Sequence, residues 1–228
     1  MRERPIFTID GPSGAGKTTV SRRLAERASL TRLDTGAMYR ACALAARRAG
    51  IPWSDGARLG MLCADLPIVF RPGEGSGTRI VLSGEDVSEA IRTPEMSMGA
   101  SEVSVHVPVR EAMVALQRKM GERGGVVLEG RDTGTVVFPD ADAKFFLDAA
   151  AAVRARRRFL EWGEGGPAFE EVLKEVLLRD IQDSTREHSP LRVADGAIYI
   201  DTTTLTVEQV VDEMLRLLPE PARKGIPA

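Results

Sequence analysis

The chain has 228 residues, of which 43% are hydrophobic and 28% charged, with 31 Lys and Arg against 33 Asp and Glu for a net charge of −2. That is apolar material enough for a globular core, and too little positive charge for general binding to nucleic acid or membrane surfaces. No apolar run reaches membrane length and strand character begins almost at once, so a cytoplasmic protein without a signal peptide is expected.

In chain order, the apolar run Ile6–Ile9 reads as a strand and Val20–Ala28 as a helix. Between them, Gly11, Gly16, Lys17 and Thr18 match the pattern Gly-x4-Gly-Lys-Ser/Thr in the strand–loop–helix setting it requires. Gly11, Gly14 and Gly16 let the backbone approach a ligand and turn its N–H groups inward. The following helix N-terminus adds a partial positive charge. Lys17 would reach outer phosphates, and the Thr18 hydroxyl would complete a magnesium shell that keeps several waters. A Gly-rich turn capping an ordinary helix is the plainer alternative.

Thr31–Asp34 follows as a short strand and Ala37–Arg48 as a helix ended by Gly50 and Pro52. Leu66–Phe70 and Arg79–Leu82, separated by the turn-rich Arg71–Gly77, predict an antiparallel hairpin, with a third short run near Val87. Thr93-Pro94-Glu95 starts one helix and Pro108 a second, in which Val109, Met113, Leu116 and Met120 recur at helical spacing before Gly121. Residues about 63–122 therefore read as an inserted subdomain.

Val126–Leu128 and Ala143–Leu147 are apolar enough to be buried on both faces of a parallel sheet. Val153–Trp162 is helical and Arg-rich and is broken by Gly163–Pro167; a long helix spans about Phe169–Glu187. Ile198–Asp201 is the last strand, and the capping box Thr206–Gln209 opens a helix to Leu218 before a frayed tail. Strands and helices alternating around a phosphate loop predict an α/β doubly wound parallel sheet with helices on both faces. One kinase-like domain over 1–220 is expected, with the 63–122 insertion, a lid at about 154–168 and a tail from 221.

Several clusters are candidates for chemistry. Thr35 and Arg40 follow the second strand, where a hydroxyl and a guanidinium fork could grip a second phosphate; a helix cap beside a surface Arg is equally open. Arg131-Asp132 lies just past a strand end, where open α/β sheets place ligands. Arg179, Asp183 and Arg186 share one helix face, a spacing that also serves a solvated ion-pair ladder. Arg154, Arg156, Arg157 and Arg158 precede the Gly-rich break, as in a basic flap closing over phosphates, although they cannot all face one way. Asp10 reads as a strand-end residue. His106 and His188 are isolated and build no base or metal cluster, and Cys42 and Cys63 lack metal or redox spacing.

Taken together, GPSGAGKTT, LDTGAMYR, GEDVSEAIRTPE, EGRDTGTVVFPDA and RDIQDSTREHSPL resemble the bacterial cytidylate kinase family from Ile6 to about Leu218. The resemblance implies transfer of the ATP γ-phosphoryl group to CMP or dCMP, with magnesium, to give CDP or dCDP and ADP. It implies that Gly11, Pro12, Ser13, Gly14, Ala15, Gly16, Lys17, Thr18 and Thr19 hold ATP, with Thr18 on the metal. Thr35, Arg40 and Arg131 would take the CMP phosphate, Ser101, Arg110 and Asp132 the cytosine, and Arg179 and Asp183 the sugar, with Arg186 in support. Lys17, Arg131, Arg154 and Arg157 or Arg158 would neutralise charge during transfer. Cytosine offers an amino donor beside two acceptors, which a carboxylate with nearby donors can read. A related kinase such as adenylate kinase usually carries an acid where Ala37 stands, and a GTPase switch needs an Asn that this chain lacks. A phosphate-loop module without turnover is the remaining alternative. A monomer is expected, since no long apolar stripe is left unassigned.

Overall fold

A computed structural model describes residues 2, 4–73, 78–163 and 165–226, the side chain of Lys224 aside. In order the chain forms β1 (Ile6–Asp10), α1 (Lys17–Arg27), β2 (Thr31–Asp34), α2 (Thr35–Arg48), α3 (Gly56–Ala64), β3 (Ile68–Pro72), β4 (Thr78–Leu82) and β5 (Glu85–Asp86). It continues with α4 (Pro94–Val103), α5 (Val107–Gly121), β6 (Val126–Gly130), a π-helical turn (Thr133–Val137), β7 (Ala143–Asp148) and α6 (Ala151–Trp162). The last elements are α7 (Phe169–Thr185), β8 (Ile198–Asp201), α8 (Val207–Leu217) and α9 (Glu220–Lys224).

These elements divide into two compact units, one of residues 1–32 and 123–228, the other of Leu33–Glu122. The second unit opens at Leu33, inside β2, rather than at the expected 63. The first is built on a five-stranded sheet of order β2-β6-β1-β7-β8, in which β1 pairs parallel with both β6 and β7, and β7 with β8. β1 is the hub because every one of its residues is buried. Phe7, Ile9 and Phe145 lie within 1% of complete burial in a core shared with α1 and α8, and each such side chain contributes about 1.5–3 kcal/mol. The chain is thus a doubly wound P-loop fold with a parallel central sheet.

The second unit packs α2, α3, α4 and α5 around Met38, Leu44, Leu59, Met96 and Met113, with the antiparallel sheet β3-β4-β5 alongside. Thr93 caps α4 by accepting the Met96 N–H at 3.2 Å, as its sequence predicts. The hairpin turn lies partly outside the described residues, at 74–77.

Three local expectations meet a difference. α3 goes unread in the sequence because Gly60 sits mid-helix; a side chain there would come within 2.5 Å of Pro108, so packing against α5 overrides a poor helix propensity. Beyond Pro219 the chain is not frayed: α9 forms and buries Ala222 in the core of the first unit. The third concerns α7, which buries Val172 and Val176 but leaves Leu177, Leu178 and Ile181 exposed, so an apolar stripe does remain open. Among the described residues, no helix is long and apolar enough to cross a membrane.

Candidate active site

The loop between β1 and α1 can exist only with glycine at its first position. Gly11 has φ of 149°, and a Cβ on it would stand 1.9 Å from the Leu147 carbonyl oxygen. Gly14, at φ 77°, is pressed by a different neighbour: its Cβ would meet the Arg154 carbonyl oxygen at 2.7 Å. The glycines therefore serve the packing of β7 and α6 on the loop as well as the approach of a ligand. Lys17 is 8% exposed and its Nζ donates to the Pro12 carbonyl at 2.6 Å. Burial lowers its pKa well below the usual lysine range and Arg131 adds to this, opposed by Glu129, Asp183 and Asp10. Thr18 and Thr19 are exposed at the start of α1, whereas Pro12, Ser13 and Ala15 are buried.

Beneath the loop two carboxylates are already engaged. Glu129, at 3% exposure, accepts from the Ser21 hydroxyl at 2.6 Å and from Arg32 at 2.5 Å. Asp10 accepts from the backbone N–H groups of Thr133 and Gly134 and from the Thr133 hydroxyl. Burial pushes its carboxyl up, against the pull of those donors.

In the same unit, Asp183 on α7 gathers three cations. The Arg131 Nε donates to it at 2.6 Å, and Arg186 lies 3.9 Å away while also facing Asp132 at 3.8 Å. Burial pushes the Asp183 carboxyl up, but Arg131 with Arg179 and Arg186 holds it below the usual carboxylate range. Arg179 is pulled down to about 10 by burial and by the like charges of Arg131 and Arg158, and its buried Nε has no hydrogen-bond partner. Arg131, Arg179 and Arg186 thus surround Asp183, while the charge of Arg131 is also felt by Lys17 and that of Arg158 by Arg179. Arg186 is held by the Ser189 carbonyl at 2.5 Å, a residue whose φ of 53° is unusual outside glycine.

The arginines of α6 differ in what they touch. Arg154 is 5% exposed; it pairs with Asp180 through both terminal nitrogens, at 3.0 and 2.7 Å, and donates to the Ala149 and Ser13 carbonyls. Arg157 donates to the Thr202 carbonyl at 2.6 Å and to the Gly14 carbonyl at 3.4 Å. Arg156 stacks on Phe159 at 5.7 Å. Arg158 has a 3.9 Å approach to Glu161, a side chain 69% exposed.

The second unit holds Thr35, Arg40, Ser101 and Arg110. Asp34 accepts the Ala37 N–H at 2.9 Å as the cap of α2 and an Arg40 nitrogen at 3.2 Å, and Thr35 is 5% exposed. The Arg40 Nε is buried without a hydrogen-bond partner. Arg110, 4% exposed, stacks its guanidinium 5.8 Å from the centre of the Tyr39 ring and donates to the Ser104 carbonyl at 3.3 Å. Ser101, half-buried on α4, accepts the Ser104 hydroxyl through its carbonyl at 2.9 Å. Tyr39, Asp180, Ser189 and Thr202 went unremarked in the sequence, since none belongs to a spacing that signals a ligand.

A family model described as "Cytidylate kinase" matches residues 7–220. A cytidylate kinase of Syntrophotalea carbinolica is 52% identical over 222 residues, covering 96% of this chain and 94% of the relative. One of Geobacter sp. strain M21 is 50% identical, covering 96% and 95%. A solved structure of an uncharacterized protein from Eubacterium ventriosum shares the fold at a TM-score of 0.53, with 12% identity over 93% of this chain and 97% of that one. With a phosphate loop, a doubly wound sheet and relatives at half identity along nearly its whole length, this chain belongs to the cytidylate kinase family.

Proposed function

We propose that this nucleoside-monophosphate kinase transfers the γ-phosphoryl group of ATP to CMP or dCMP, giving CDP or dCDP and ADP, as a cytoplasmic protein. One observation carries the reading: Arg131, Arg179 and Arg186 converge on Asp183, with the Arg179 Nε buried without a hydrogen-bond partner and Lys17 buried at the phosphate loop. Like charges held together out of water are costly unless a polyanion joins them. Phosphoryl transfer, with negative charge spread over its oxygens, meets that need by positioning and neutralisation alone.

In this reading Gly11–Thr19 cradle the ATP phosphates, and Lys17 exchanges its bond to the Pro12 carbonyl for a phosphate oxygen. The magnesium ion that accompanies ATP fits the loop: the Thr18 hydroxyl lies at an exposed position, while the neighbouring carboxylates Asp10 and Glu129 already hold protein donors. The Thr18 hydroxyl would be the chain's ligand to a cation there, with phosphate and water supplying the others, a set that suits magnesium. Bound, it neutralises phosphate charge.

Arg131, with Thr35 and Arg40, takes the CMP phosphate; Asp132, Arg110 and Ser101 read the cytosine; Arg179 and Asp183 take the sugar, with Arg186 in support. The unit Leu33–Glu122 is the monophosphate-binding unit of a single kinase domain, and residues about 154–168 its lid. Among the lid arginines we assign the transferred group to Arg158, because Arg154 is engaged by Asp180 and by the Ala149 and Ser13 carbonyls, and Arg157 by Thr202. The decisive experiment is ADP formation from Mg·ATP with CMP, dCMP, UMP, AMP and GMP in turn. CMP and dCMP are expected to be the best acceptors; AMP or UMP as the best would overturn the reading, and no stimulation by any of them would favour a binding module.

A further inference from the structure

Asp10 takes no part in the roles above, yet it is a fully enclosed carboxylate. It is the last residue of β1, stands directly before Gly11 and is 2% exposed. Its Oδ1 accepts the Thr133 N–H at 2.9 Å and the Thr133 hydroxyl at 2.8 Å, and its Oδ2 accepts the Gly134 N–H at 2.7 Å. All three donors belong to the opening of the π-helical turn, whose preceding residue is Asp132. The turn is closed from that residue too, since the Asp132 carbonyl accepts the N–H groups of Val136 at 2.9 Å and Val137 at 3.3 Å. Gly134 adds a steric requirement: a Cβ on it would fall 2.8 Å from the Thr8 hydroxyl.

A single π-helical turn is a rare conformation that seldom persists without outside support and recurs at functional sites. A buried carboxylate in turn is tolerable only when donors meet it. Each satisfies the other here, and the meeting point lies between the strand that launches the phosphate loop and the strand end that bears Arg131 and Asp132; Asp10 and Gly130 are register partners across β1 and β6. We infer that Asp10 is a positioning residue for the acceptor: by pinning the Thr133–Val137 turn it aims Asp132 and Arg131 at the monophosphate. This rests on the reading that those two residues take CMP.

Two variants of the full chain test it. Asp10→Asn keeps an oxygen toward Thr133 but sets an amide NH2 against the Gly134 N–H. Thr133→Val removes one hydroxyl donor and leaves the phosphate loop and both backbone bonds untouched, so it carries the test if the first variant does not fold. In each, the KM for CMP is expected to rise about 10-fold while that for ATP moves less than about twofold. The kcat/KM preference for CMP over UMP should fall about fivefold, a readout that a merely structural loss would not move. Equal changes for both substrates, or an unchanged CMP-to-UMP preference in folded variants, would overturn the inference. Wild-type protein run alongside separates the two ideas: no CMP turnover there defeats the functional reading, whereas normal CMP turnover with indistinguishable variants defeats this inference alone.

Discussion

Replacing Asp183 with Asn removes the carboxylate on which Arg131, Arg179 and Arg186 converge while nearly preserving its shape. The Arg131 Nε–Oδ2 separation is 2.6 Å, with the two side chains 20% and 12% exposed. For unit charges about 4 Å apart in a medium of effective dielectric about 20, the attraction is roughly 4 kcal/mol. The amide oxygen can still accept one hydrogen bond, and partial exposure screens the pair, so a net loss of about 2–3 kcal/mol is expected. In a chain of this length that corresponds to a Tm lower by roughly 5–10 °C at neutral pH.

The pH dependence gives the argument its sign. The folded pKa of Asp183 lies below the usual carboxylate range, so its stabilisation is fully present above the unfolded value of about 3.9 and is lost as pH falls through the folded value. The gap in Tm between wild type and Asp183→Asn should therefore be constant from neutral pH down to about 5 and close below the unfolded pKa. Thermal unfolding without nucleotide, followed by circular dichroism across that range, measures it directly. A Tm unchanged at neutral pH, or a deficit that persists unaltered into strong acid, would refute the reasoning. In activity, the KM for CMP should rise well above any change for ATP.

The other expectations concern single cations. Lys17→Ala should remove nearly all turnover, because it deletes charge neutralisation at the transferred group; single-turnover kinetics showing a near-normal kcat would contradict the role. Arg158→Met should lower kcat about 100-fold with little change in Tm, whereas Arg154→Met should lower Tm, since it strands Asp180 and opens the Ala149 and Ser13 carbonyls. The reverse pattern would assign the transfer role to Arg154 instead. Arg110→Met should raise the KM for CMP more than that for ATP, and equal effects would move Arg110 out of the base-reading set.

Much of the fold was legible locally. β1, the phosphate loop and α1 follow one another with their own signals, and the caps at Thr93 and Thr206 mark helix starts from side chains three residues from their partners. What escaped was settled by distant neighbours. α3 needs Gly60 because of Pro108, and the turn at Thr133–Val137 needs Asp10, 123 residues earlier in the chain. α9 forms behind a proline pair because Ala222 finds a place in the core.

The same division runs through the site. Sequence alone determined the kind of chemistry: a glycine loop with Lys17 and Thr18 for a polyphosphate, and a series of arginines with Asp132 and Asp183 for an acceptor bearing phosphate and base. These are properties of residue type and short spacing, which the chain carries before it folds. Only tertiary structure decided how the arginines differ. Arg154 and Arg158 lie one turn apart on α6, yet one is neutralised by Asp180 from α7 and buried against the loop, while the other approaches the exposed Glu161 at 3.9 Å and adds its charge to those felt by Arg179. A guanidinium's role depends on which partners satisfy it, and those partners arrive from elements far along the chain.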